Sequence, residues 1–296
     1  MRTMRVFLIS LGLAGAVGFV ALLAYLAHAG GVPVLAPSGA IGLDERSLMI
    51  HTVLLMLIVA VPVYLLIGII AWKYRAGATA AKYTPDWENS PMEEFIWWII
   101  PFEIVLVLGA LTWTGTHALA PEKAIQSTQK PEVVQVVALP WKWLFIYPEE
   151  GVATVNELAL PAGRPVSFEI TAAAPMNSFW IPALGGQMYA MTGMVTRLNL
   201  ISENPGEFTG RSANYSGEGF AGMQFPVHVL AKDDWTAWIN RAYASSASLT
   251  PDTYAALAAP SENAKTQLFG SVTMPFTAIV GAYMTMPEMD MSSMHR

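Results

Sequence analysis

Two long apolar runs, Ser47 to Trp72 and Phe95 to Thr114, constrain this chain more than any other feature. Each is almost free of charge and long enough to cross a bilayer core of about 30 Å as a helix. A segment in lipid must satisfy its backbone polar groups internally, so both runs read as helices. Pro62 and Pro101 lie inside them, and kinks are expected there. Trp97, Trp98 and Trp113 sit near the ends of the second run as aromatic anchors. Lys73, Arg75 and Lys82 follow the first run in a short loop, which marks the cytoplasmic side. A two-helix hairpin over 47–119 results, with the remainder of the chain outside the cytoplasm. His51 reads as an interfacial polar residue. Two acids stand out: Glu94, with Glu93 beside it, at the cytoplasmic mouth of the second span, and Glu103 within it. An acid in the apolar part of a span is costly, and a functional role is its default reading.

Before the hairpin, Arg2 and Arg5 precede an apolar stretch that closes on Ala27-His28-Ala29. Residues 1–29 therefore read as a secretory signal peptide or an uncleaved N-terminal anchor. Residues 30–46 form a linker in which Pro33 and Pro37 oppose helix.

After Leu119 the period changes. Val133–Leu139, Trp143–Tyr147, Val155–Leu160, Val166–Thr171, Met194–Ile201 and Val227–Ala231 are short runs rich in Val, Ile and aromatics. Such runs, punctuated by Pro and Gly, predict an all-β sandwich or barrel over 120–231. Trp141-Lys142-Trp143 reads as a stretch of large packing aromatics, with Trp143 in the core. Residues 232–296 read as a helical arm with a Met-rich tail. Lys232–Tyr243 is amphipathic, and Thr250-Pro251-Asp252 signals a helix start for Thr250–Leu257. The tail from Met284 reads as a disordered terminus, with copper delivery through its methionines and His295 as the alternative.

The most informative stretch is Gly210 to Met223. A loop holding a thiolate copper site would place two soft ligands four residues apart, an imidazole four later and a thioether three after that. Ser212, Ser216, Phe220 and Met223 stand at those positions, and Asn177 stands where an upstream ligand would sit. Copper needs thiolate and imidazole donors, which an alcohol, a phenyl ring and an amide do not supply. The chain has no cysteine, so disulfides, iron–sulfur clusters and thiolate metal sites are excluded. A weak metal site from Met223, Asn177 and His228 is a lesser alternative, because His228 is off the ligand spacing. A net charge of −6 argues against a nucleic-acid partner.

The loop, the Met176–Pro182 segment and the hairpin together resemble subunit II of the heme-copper respiratory oxidases. The matching branch is the quinol oxidases of the cytochrome bo type. In the cytochrome c oxidases the loop reads Cys-x3-Cys-x3-His-x2-Met and carries the binuclear CuA centre; in the quinol oxidases those ligands are lost. The resemblance covers nearly the whole chain after about Ala36. It implies a membrane helical hairpin plus a cupredoxin-like extracytoplasmic β domain and a C-terminal helical arm that wraps other subunits. It also implies a non-catalytic subunit of a proton-translocating ubiquinol oxidase in the bacterial inner membrane, with the β domain on the periplasmic side. Hemes and copper are then expected in the large subunit I, since this chain has no axial ligand set. Further subunits and membrane lipid are the other expected partners, and cytochrome c is not one. Asn177, Ser212, Ser216, Phe220 and Met223 become vestigial CuA positions that hold no metal. Glu94 matches the subunit II glutamate at the entrance of the K-type proton pathway. Related subunits usually carry a lipoprotein cysteine near the N-terminus, which this chain lacks. The alternative is a membrane-anchored, metal-free periplasmic scaffold or copper-delivery protein.

Overall fold

The computed structural model describes residues 32–75, 78 and 90–284, together with residues 18, 21, 22, 24 and 25. The signal peptide or anchor lies almost wholly outside the described residues, as do Lys82 and the Met-rich tail beyond 284. Two compact units are present: a helical one over 44–120, and a second containing the β domain from 121 onward together with the described residues before 44.

In the helical unit, α1 (Ala40–Lys73) and α2 (Pro91–Ala118) are apolar enough to cross a membrane. Both run on through Pro62 and Pro101 without a break. Pro91 occupies the first turn of α2 with Glu93 and Glu94, where proline loses no helical bond and acids meet the positive end of the dipole. The helices meet closely at Gly115: a Cβ there would lie 2.8 Å from Leu48 Cδ2.

Helix α1 begins seven residues earlier than its apolar run suggests, at Ala40 inside the expected linker. Pro33 and Pro37 do keep the preceding residues out of an α-helix, leaving one 3-10 turn at Pro33–Leu35. The early start has a tertiary cause. Ser38 N and Gly39 N donate to Ala183 O, and Gly42 N donates to Leu184 O. Neighbouring backbone thereby satisfies amide groups that a helix start leaves open.

The β domain contains β1 (Glu132–Leu139), β2 (Lys142–Tyr147), β3 (Val152–Val155), β4 (Leu158–Pro161), β5 (Val166–Ala172), β6 (Asn177–Ile181), β7 (Gly185–Ala190), β8 (Thr196–Leu200), β9 (Gly206–Ser212) and β10 (Gln224–Leu230). There follow α3 (Lys232–Tyr243), β11 (Ser248–Leu249), α4 (Pro251–Ala258), β12 (Gln267–Phe269), β13 (Ser271–Val272) and α5 (Phe276–Met284). One sheet runs β12-β3-β2-β1-β5-β8 and the other β4-β10-β9-β6-β7. Their facing sides bury Val134, Val136, Trp143, Phe145, Phe168, Phe179, Phe225 and Val227.

The run Val155–Leu160 is not one strand. It supplies the end of β3 and the start of β4, which belong to different sheets. Asn156 makes the break: it adopts φ 52, a conformation asparagine tolerates better than most residues. Its side chain accepts from Trp143 N and donates to Ala264 O, both at 2.8 Å.

The arm after α3 packs on this chain's own sheet. Leu249, Tyr254, Leu257, Phe269, Phe276, Ile279 and Val280 bury themselves against Val137, Leu139, Leu144, Ile146, Ala153 and Val155. This differs from an arm that wraps only other subunits. It also explains why β2 is buried at every position instead of alternating. Helix α4 starts where its signal places it, with Thr250 and Thr253 forming a reciprocal cap.

Where the chain enters β1, one guanidinium organises the junction. Arg164 donates to Lys130 O at 2.8 Å and lies 2.5 Å from the buried Glu132 carboxylate. Glu149 bridges Lys130 and Arg164, and the Lys130 ammonium holds its carboxyl below the usual range. Burial, with the Glu150 carboxyl alongside, pushes Glu132 up to about 8 even though Arg164 pulls the other way. Glu132 is fully buried beside a half-covered guanidinium and a second carboxyl, so it retains its proton to higher pH than an exposed acid would. The native state therefore binds this proton more tightly than the unfolded chain, whose carboxyl titrates near 4.5. The stabilisation from this proton is complete below that value and is lost as pH rises through about 8. Thermal unfolding midpoints should fall between about pH 5 and about pH 9, and Glu132→Gln should flatten that slope. Identical slopes for the two proteins would refute the assignment.

Candidate functional site

The five positions singled out by spacing gather at one end of the sandwich, above an aromatic floor. Phe179 stacks on Phe225 with centroids 5.8 Å apart. Trp143 meets both edge-on, at 5.5 and 5.9 Å. Gly210 is required opposite Phe225, because a Cβ there would lie 2.1 Å from the ring. Close packing of this kind fixes the ends of β6 and β9 relative to each other.

On that frame the side chains pair off. Ser212, at the end of β9, donates to Asn177 Oδ1 at 2.8 Å. Asn177, at the start of β6, returns its Nδ2 to Pro175 O at 2.8 Å. Ser216 Oγ lies 3.5 Å from Met223 Sδ. Asn177 and Met223 are each only 1% exposed and Ser212 is 6% exposed, so the Ser212–Asn177 pair is shielded from water. Phe220 turns its ring toward Tyr215, 5.6 Å away. The loop backbone closes through Ser212 N to Met223 O and Ala213 N to Ser178 O, both at 3.0 Å.

Two further contacts hold the loop, and spacing alone does not reveal them. Trp141, in the β1–β2 turn, has φ 62. Its indole lies over Gly217 and Gly219, where a Cβ at Gly219 would come within 2.4 Å, and its Nε1 donates to Ser216 O at 3.1 Å. Trp141 thus makes a contact within the chain on this face. From the arm, Asn263 Oδ1 lies 2.7 Å from the Cβ position of Gly222. Lys142, next to Trp141, reaches the arm as well, donating to Ala259 O at 2.7 Å and Ser261 Oγ at 2.5 Å. Burial lowers its pKa. The signal available in the sequence was the pair of loop glycines facing a Trp-Lys-Trp turn.

The donor set does not fit a copper centre. Hydroxyl, amide and phenyl groups replace thiolate and imidazole, and Ser212 and Asn177 already satisfy each other. No chemical step is therefore routed through a metal at this loop. Nor does Ser212 sit beside a base that would make it a nucleophile. His228 on β10 points to Glu207, with Nδ1 3.6 Å from the carboxylate, and is not joined to the Asn177–Ser212 pair. Trp143 is fully buried, as its core reading requires. In the helical unit Glu94 is half-buried and Glu93 exposed, and Glu103 is exposed on α2.

Comparison with known proteins places these features in context. Residues 139–230 match the family model described as cytochrome C oxidase subunit II, periplasmic domain, and residues 244–286 match the COX aromatic rich motif. The chain is 48% identical over 237 residues to cytochrome bo(3) ubiquinol oxidase subunit 2 of Pseudomonas aeruginosa, covering 80% of this chain and 72% of that protein. It is 43% identical over 263 residues to ubiquinol oxidase subunit 2 of Acetobacter aceti, covering 88% and 85%. Quinol oxidase subunit 2 of Bacillus cereus is 37% identical over 228 residues, covering 77% and 78%.

If the frame alone keeps the loop in shape, soft donors placed on it should bind copper. The combination Asn177→His, Ser212→Cys, Ser216→Cys and Phe220→His, with Met223 kept, should give a chain with intense thiolate-to-copper visible bands. A folded chain that takes up no copper would show that the loop has diverged. Separately, Trp141→Ala should destabilise the β domain by on the order of 2–3 kcal/mol, measured by denaturant titration. A loss below about 0.5 kcal/mol would mean that Trp141 does not hold the loop.

Proposed function

This chain belongs to the ubiquinol oxidase subunit II family, and we propose from that membership and the chemistry of its loop that it is the non-catalytic subunit II of a proton-translocating terminal ubiquinol oxidase. The complex would oxidise ubiquinol and reduce dioxygen to water. The observation that carries this reading is the Ser212–Asn177 hydrogen bond. It closes a loop that, in relatives receiving electrons from cytochrome c, would be a metal centre. Electrons then enter the complex elsewhere, from quinol, and cytochrome c is not a partner.

The rest of the assignment follows from this. The hemes and the oxygen-reducing copper are assigned to a larger partner subunit, since the described residues bring together no group of donors for them. Two apolar helices anchor the chain in membrane lipid. The basic residues Lys73 and Arg75 after the first span favour a cytoplasmic loop, which puts the β domain on the periplasmic side of a bacterial inner membrane. Glu94, at the cytoplasmic mouth of α2, is proposed as the acid that admits protons to the large subunit. Its support is its position in the motif before Trp98 and Pro101, together with its partial burial beside the exposed Glu93.

Oxygen uptake by the complex purified through this chain tests the reading. Uptake is expected with ubiquinol and not with reduced cytochrome c; uptake with cytochrome c would overturn it. Glu94→Ala should slow ubiquinol turnover several-fold while leaving heme content unchanged. Undiminished turnover would remove Glu94 from the proton path.

A further inference from the structure

Glu103 is the acid that neither the loop nor the proposed proton entrance uses. It lies near the middle of the apolar run of α2, between Phe102 and Ile104. The surface of α2 is not uniform. Ile104, Leu108, Leu111 and Gly115 are its half-covered residues from Ile104 onward, spaced four, three and four residues apart. At about 100° per residue that spacing makes one stripe. The stripe is the side that meets α1: Gly115 abuts Leu48, and a cleft at this level is lined by Ser47, Leu48 and His51 from one helix and Leu111, Thr114 and Gly115 from the other. Glu103 falls about 110° off the centre of that stripe and is exposed.

The hairpin supplies nothing to satisfy it. Among the described residues no hydrogen bond or ion pair is made by Glu103. The charged residues of α1 are Asp44, Glu45, Arg46 and Lys73, all close to its ends. His51 lies at the level of Leu111–Leu119, two or more helical turns from Glu103, and its Nδ1 bonds Ser47 O at 2.7 Å. A carboxyl group facing hydrocarbon without a donor is costly, and intramembrane acids face protein and pair with donors there. The described residues of this chain offer no such donor.

We infer that Glu103 marks an intersubunit face of α2, where it pairs with a basic side chain on a membrane helix of a partner subunit. This inference rests on the reading of the chain as one subunit of an oxidase complex. The apolar residues around Glu103 give close helix packing, and the carboxylate adds charge complementarity that sets which helix docks and in what register. A polar pair in a bilayer acts in this way because apolar contacts alone discriminate poorly between lipid tails and another helix.

The test uses the whole complex recovered through this chain. An apolar carbodiimide, which reaches carboxyl groups from within the bilayer, is applied to the complex in membranes and to the same complex after dissociation in a harsh detergent. Modification of Glu103, read by mass spectrometry, should be about tenfold slower in the assembled state. Equal rates would overturn the inference. In parallel, Glu103→Leu should lower the partner subunit recovered per copy of this chain by about tenfold, whereas Glu103→Gln, which keeps an acceptor, should lower it less. Full recovery with Glu103→Leu would overturn it too. A complete heme-bearing complex with equal labelling sinks this inference alone. Wild-type chain recovered with no heme-bearing partner would overturn this inference and the subunit reading together.

Discussion

The structure of the β domain depends on one sheet that is covered on both sides. Its inner face meets the second sheet through an aromatic cluster around Phe179 and Phe225. Its outer face is closed by the arm, through Leu257, Phe269, Ile279 and their neighbours. Burying a large apolar side chain contributes about 1.5–3 kcal/mol, so the arm is part of the domain and not an appendage. The same requirement accounts for strands that read as continuous apolar runs, since neither face is left for water. It also accounts for β12, which extends the sheet edge by pairing with β3.

That double covering also bears on the form of the loop from Gly210 to Met223. The turn between β1 and β2 is held from below by the core and projects two side chains in different directions. Trp141 lies over the loop glycines and bonds Ser216 O. Lys142 holds the arm at Ala259 and Ser261. The arm in turn reaches back to the loop through Asn263 and Gly222. Loop, turn and arm thus support one another in a closed circuit. Within it, Ser212 and Asn177 satisfy each other in a site whose polar atoms would otherwise be buried without partners. The architecture of the site is thereby supported from outside it.

Legibility in the sequence varied with the range of the forces involved. Helix α3 spans the same residues in structure as in pattern, because its amphipathic period is local. The start of α4 was visible in Thr250-Pro251-Asp252 because a cap is decided within four residues. Strands β6, β7 and β9 gave little signal. Strands β7 and β9 contain Gly185, Gly186, Gly206 and Gly210, and glycine weakens a strand pattern even where close packing demands it. Val155–Leu160 looked like one strand because both halves are apolar; only the pairing of each half shows that the chain changes sheets at Asn156.

The sequence by itself determined the membrane hairpin, since no other structure tolerates such apolar runs in lipid. It determined the absence of a thiolate metal centre, since there is no cysteine. It also put Ser212, Ser216, Phe220 and Met223 at the spacing of a ligand pattern, because spacing is written along the chain. What those positions do instead was decided by tertiary structure. Ser212 finds Asn177 across 35 residues, Trp141 finds Ser216 across 75, and Lys142 finds Ala259 across 117. Partners at such distances are chosen by the packing of whole sheets, because only a closed core brings them within the short range of a hydrogen bond.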